Sequence, residues 1–167
     1  MATKLLTPTK YILFDTMTDS WPTVNKLNVT ATTSVTDRVM AINVTAIASS
    51  GTSTTRGFYC NPSGWGKNHR VMYSFDYRFV PATAGDTCTM NSVGYEGATK
   101  ISITWDTDWK HAEGLMTRNS YSDTYYAFTF YRQATDFPLG TYYIRNYHLE
   151  TIPFIFTIGG KPVTVTV

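Results

Sequence analysis

The sequence predicts an all-β fold, a jelly-roll-like β-sandwich of antiparallel strands with an extra β-hairpin at its C-terminus. Three observations lead there. Aromatic residues make up 15% of the 167 residues and threonine occurs 29 times, and both suit the pleated, half-buried surface of a strand, while the good helix formers are scarce. Apolar and polar residues alternate with period two in several segments. Turn-forming pieces at residues 49–55, 61–68, 81–86 and 118–123 separate those segments. The length suits one domain with one core.

Taken in order, residues 11–14 form a short apolar run, and residues 39–47 place Ile42, Val44 and Ala46 on one face. Residues 70–79 carry the clearest strand pattern. Val71, Tyr73, Phe75, Tyr77 and Phe79 share one face, and Arg70, Met72, Ser74, Asp76 and Arg78 the other. Residues 100–105 alternate Ile101, Ile103 and Trp105 against Lys100, Ser102 and Thr104, and residues 125–132 align Tyr126, Phe128 and Phe130. Residues 142–149 follow the turn signal Pro138-Leu139-Gly140. At the end, apolar residues 152–158 and 161–167 flank Gly159-Gly160, which tolerate the positive φ of a tight hairpin turn. The chain therefore divides into a sandwich over residues 1–150 and a hairpin over 151–167, packed on the same domain or on a neighbouring subunit.

Several functional classes are disfavoured. The net charge is only +2 and no basic run offers a footprint for nucleic acid. Residues 152–158 are too short to span a bilayer, and no long apolar region follows the N-terminus as a secretory signal would require. Cys60 and Cys88 either pair or remain two free thiols; neither lies in a CxxC motif, which argues against zinc. His69, His111 and His148 sit in separate segments, and neither a nucleophile elbow nor a phosphate loop is present. Asp106 and Asp108 could serve glycan hydrolysis or bind calcium, but residues two apart on a turn rarely face each other across a substrate; a solvated turn is the simpler reading. The chain is therefore expected not to be an enzyme.

Exposed aromatics beside polar side chains are the remaining signal. Sugar rings present C–H patches that settle on flat aromatic faces, while amides and cations bond their hydroxyls. Trp65 stands between two glycines, with Tyr59, Lys67, Asn68 and His69 close in sequence. It either stacks on a ligand or folds back as a lid on the core. A second cluster joins Arg118, Tyr121 and Tyr125 in a polar segment, where the tyrosines either bind or sit at a strand edge. The expected ligand-binding set is Trp65, Tyr59, Lys67, Asn68, Arg118, Tyr121 and Tyr125. Trp105 and Trp109 are assigned to the core, and Trp21 could go either way.

The segment Ile144-Arg145-Asn146-Tyr147-His148-Leu149-Glu150 resembles the closing "I-x-N-x-x-L-E" strand of carbohydrate-binding-module-like domains in bacteriophage tail, baseplate and receptor-binding proteins. Asp108-Trp109-Lys110 resembles their "E-W-K" step, residues 70–78 their "Y-T-F-S-F-Y-A-K" strand, and Asp19-Ser20-Trp21 a "G-W" element. The similarity covers about residues 10–150, and the hairpin beyond it and the segment around Trp65 depart from the pattern. The resemblance implies a jelly roll on a virion that binds host cell-surface or cell-wall saccharides, with other virion proteins as partners and no cofactor beyond an occasional structural calcium. It hands over no binding residue. The alternative is a structural virion protein, in the head or tail, that assembles through the C-terminal hairpin as a homo-oligomer or with neighbours.

Overall fold

Strands that alternate apolar and polar side chains become stable when two apolar faces close on each other. The computed structural model shows that arrangement and describes residues 12–17, 20–21, 23–48, 54–60, 70–93, 101–117, 128–151, 157–158 and 161–162. Every regular element among them is a strand. In chain order they are β1 (Ile12–Asp15), β2 (Val24–Leu27), β3 (Val29–Thr36), β4 (Val39–Ile47), β5 (Thr55–Cys60), β6 (Arg70–Pro81), β7 (Cys88–Val93), β8 (Ile101–Trp105), β9 (Lys110–Thr117), β10 (Phe128–Gln133), β11 (Gly140–Thr151), β12 (Thr157–Ile158) and β13 (Lys161–Pro162). One sheet runs β3-β4-β11-β6-β9, with β1 also paired to β11; the other runs β2-β5-β10-β7-β8. All pairings are antiparallel.

The core lies between the sheets and is mainly aromatic. Tyr73, Phe75, Tyr77 and Phe79 of β6 and Tyr142, Ile144, Tyr147 and Leu149 of β11 face Phe58, Met90, Trp105 and Phe130 of the other sheet. The rings meet across the gap in edge-on contacts: Phe75 with Phe130 at 5.3 Å and 76°, and Trp105 with Tyr142 at 5.4 Å and 78°. Within one sheet Phe79 stacks on Tyr142 at 4.3 Å. The buried Tyr142 hydroxyl donates to the Pro138 carbonyl at 2.8 Å, so its polar end is satisfied.

The long central strand β11 is broken by a bulge. Its pairing with β6 shifts between Arg145 and His148, and Asn146 adopts φ 51°. Strict period two would send Tyr147 outward with Tyr143 and Arg145. The extra residue instead returns Tyr147 and Leu149 to the core, 1% and 0% exposed. Asparagine tolerates this backbone conformation better than most residues. The bulge also marks where the edge of β11 changes partner, from β4 at residues 140–144 to β1 at residues 148–150. Thr16 pins that junction: its amide donates to the Tyr147 carbonyl and its hydroxyl accepts from the Tyr147 amide, both at 3.0 Å.

Three features were left open or unmarked by the sequence. Strands β2, β3, β5, β7 and β9 carry too few large apolar residues for alternation to reveal them, and β5 begins at Thr55 inside an expected turn. The β3–β4 hairpin turns on Asp37 and Arg38, at φ 49° and 64°, without glycine. Cys88 is a free, buried cysteine. Register explains why it is not paired with Cys60: Cys60 lies opposite Phe128 and Asn91 opposite Tyr131, which sets the two cysteines about 20 Å apart along the strands. Of the expected C-terminal hairpin, residues 157–158 and 161–162 are described and pair antiparallel, Thr157 with Pro162 and Ile158 with Lys161; the rest of it lies outside the described residues. Phe130 is fully buried under three other rings. Phe130→Ala should cost about 3–5 kcal/mol, read as a lowered urea midpoint at unchanged m-value.

Candidate functional site

Burial of one face of the five-stranded sheet decides what its other face displays. In β5, Phe58 points inward, so Thr55, Gly57 and Tyr59 point outward; in β10, Phe130 points inward, so Thr129, Tyr131 and Gln133 point outward. Register then assembles a row Leu27–Gly57–Tyr131–Asn91–Ser102 beside a row Asn25–Tyr59–Thr129–Val93. Gly57 places no side chain between Leu27 and Tyr131. Its φ is 152°, and a Cβ there would lie 2.0 Å from the Phe130 carbonyl oxygen, so the position is closed to other residues. The outcome is an open groove of about 200 Å³ lined by Leu27, Thr55, Tyr59, Thr129 and Tyr131.

The groove combines two ring-bearing side chains with a polar floor. The Thr129 hydroxyl is buried and has no hydrogen-bond partner among the described residues, which in a native fold calls for an explanation such as a ligand or a water. Farther along the same face, the hydroxyls of Thr89 and Thr104 bond each other at 3.0 Å, beside Asn91 and Ser102. The face carries no acidic or basic side chain on β5, β10, β7 or β8 among these outward positions. It can offer ring faces and neutral hydrogen bonds, and it has no acid–base pair.

Of the residues expected to bind, Tyr59 lies in this groove. Trp65, Lys67, Asn68, Arg118, Tyr121 and Tyr125 lie outside the described residues. Sequence reasoning missed Tyr131, Thr129 and Leu27. The signal for Tyr131 was available: it is the aromatic out of phase with Phe128 and Phe130. Asp106 and Asp108 form the expected solvated turn, with the Asp108 amide donating to Asp106 Oδ1 at 3.2 Å and the other Asp106 oxygen paired with Lys110. Trp105 is fully buried, as expected.

The core assignment of Trp109 is corrected: this tryptophan is half-buried on the outer face of the six-stranded sheet. It follows the turn after β8, so it does not continue the inward phase of Trp105. Arg145 lies over its ring at 3.9 Å and Arg78 at 4.9 Å, and Arg78 also lies over Tyr143 at 4.8 Å. Trp21 is partly buried against the core and tilts onto Tyr147 at 6.3 Å, its indole N–H donating to the Arg38 carbonyl. On the same outer face, Asp76 accepts from Asn146 at 2.7 Å and Arg145 at 3.2 Å, and His111 Nδ1 lies 2.8 Å from its other oxygen.

A two-layer antiparallel sandwich with a ring-bearing groove on one sheet face is thus the class that fold and site define. No protein-family model matches the chain, and no curated protein sequence does. Among solved structures, it is similar to a carbohydrate-binding module described as BiXyn10A CBM1, at 15% identity and TM-score 0.48 over 87% of this chain and 97% of that one. It is also similar to a family 11 carbohydrate-binding module of the cellulosomal cellulase Lic26A-Cel5E of Clostridium thermocellum, at 16% identity and TM-score 0.44 over 89% and 96%. A CBM4 structure matches at 14% identity and TM-score 0.45 over 75% and 80%. At these values the likeness is one of general architecture and carries no argument about ligands.

Asp76 ties the outer face of the six-stranded sheet together electrostatically. Burial alone would raise its pKa, but hydrogen bonds from His111, Asn146 and Arg145, with the charge of Arg145, outweigh this and hold the carboxyl below its ordinary value. A carboxylate depressed in the folded state stabilises the fold above its unfolded pKa, and that stability is lost as pH falls through the folded pKa. Asp76→Asn should therefore destabilise the protein at neutral pH by about 1–3 kcal/mol. It should also flatten the fall in stability below pH ~4, where the unfolded carboxylate begins to protonate. Urea midpoints measured from neutral pH to strong acid check both; parallel wild-type and variant curves would contradict it.

Proposed function

We propose that this chain is a non-catalytic carbohydrate-binding domain whose ligand lies on the groove of the five-stranded sheet. The observation that carries the reading is the groove's composition: Tyr59 and Tyr131 beside a buried, unpartnered Thr129 hydroxyl, on a face otherwise set with neutral polar groups. Tyrosine rings suit the C–H faces of a sugar, and threonine and asparagine suit its hydroxyls. At about 200 Å³ the groove is smaller than the ~300–1,000 Å³ typical of small-molecule pockets. Its open shape suits one ring of a longer saccharide running across the strands. Weak contacts of this kind gain strength when several copies bind one polymer.

The finer reading is attachment of a phage virion to host cell-surface saccharides. It is supported by the similarity of residues 144–150 and 108–110 to the phage carbohydrate-binding-module-like motifs. A structural virion role is the second reading, and one observation favours it: β12 and β13 pair with each other in a sheet of their own.

Tyr131→Ala and Tyr59→Ala should each weaken binding of neutral polysaccharides at least about tenfold, given ~1.4 kcal/mol per decade. Affinity electrophoresis reads the effect, with unchanged urea midpoints as the folding control. Wild-type retardation of both variants would remove the groove from the account. Removing residues 152–167 separates the second reading: a smaller assembly by light scattering, with glycan binding intact, would assign the hairpin to assembly.

A further inference from the structure

Most cations described on this fold spend their hydrogen bonds within the chain. Arg145 gives its Nε to Asp76, Lys110 pairs with Asp106, Arg56 donates to the Thr54 and Ala134 carbonyls, and Arg132 reaches Asp136. Arg78 does not. It has no hydrogen bond or ion pair with any described residue, and its Nε is buried without an acceptor. What holds it is the pair of rings, Trp109 at 4.9 Å and Tyr143 at 4.8 Å from the guanidinium carbon. A guanidinium held against two rings, with its terminal N–H groups unspent on described residues, can make two-point contact with an oxyanion through those two nitrogens.

We propose that Arg78 is an oxyanion site for acidic saccharides, taking a carboxylate or a phosphate of a glycan laid on the outer face of the six-stranded sheet. This face is opposite the groove, because Arg78 and Tyr131 point away from the core in different sheets. The ligand class rests on the saccharide-binding reading, but the site shares no residue with the groove. Surrounding charge favours one oxyanion over a polyanion. Arg145 is already engaged by Asp76, and Glu113 and Asp15 stand farther along the same face, in the row of Ser74 and His148. A nucleic acid, with a phosphate at every step, would meet those carboxylates.

The test is calorimetric titration of the full chain with oligogalacturonides, which supply carboxylates, and separately with glycerol phosphate oligomers, which supply phosphates. The expected result is binding of at least one, weakening as salt rises. Arg78→Gln should lower that affinity about tenfold, the scale of a charge-assisted hydrogen-bond pair. Arg78→Lys, which keeps the charge and loses the fork, should recover only part, and Tyr131→Ala should leave it unchanged. The oligomer that binds identifies the anion. Wild-type affinity in both Arg78 variants overturns the proposal, as does failure of both oligomers to bind. Equal, Arg78-dependent binding of a single-stranded DNA oligonucleotide also overturns it. Neutral polysaccharides with Tyr131→Ala report on the groove separately, so either site can fail alone.

Discussion

A strand sends successive side chains to opposite faces, and a sandwich buries one face of each sheet. Here that constraint is fixed by an aromatic layer. Phe58, Trp105 and Phe130 meet Phe75 and Tyr142 in close ring contacts, and neither strand of the β5–β10 pair can slip by one residue without taking Phe58 or Phe130 out of that layer. Tyr59, Thr129 and Tyr131 point outward for the same reason. The groove is the reverse side of the core, and its floor inherits the core's rigidity.

The two outer faces differ in chemistry because the two sheets differ in what alternates with their apolar residues. On the five-stranded sheet the intervening residues are uncharged, mostly threonine, asparagine, serine and tyrosine. On the six-stranded sheet they include Asp76, Arg78, His111, Arg145 and His148. The bulge at Asn146 organises the charged face. It turns His148 outward, 3.2 Å from Asp15, and directs the Asn146 amide to Asp76. Asp76 then anchors Arg145, which lies over Trp109, and Trp109 and Tyr143 together hold Arg78.

A strand with large residues in phase declares itself in sequence. Tyr73, Phe75, Tyr77 and Phe79 all reach the core as the alternation predicts, and so do Ile42, Val44, Ile103 and Trp105. Strands such as β3 and β7, built largely from threonine and other small polar residues, owe their place to hydrogen bonding with neighbours, which no local pattern records. The sequence pointed to exposed aromatics with polar company, and of that set Tyr59 lines the groove. Tyr131 was obscured because it sits inside an aromatic run, where phase alone separates a core ring from a surface one.

By itself, the sequence determined the all-β class, the sandwich and the inward faces of its most apolar strands. Each of these depends on local composition and period. Tertiary structure decided which strands became neighbours, where the period broke at Asn146, why the cysteines stay apart, and that Trp109 belongs to a charged surface and not to the core. These depend on register between segments distant in the chain, and register is fixed only when the two aromatic faces close on each other.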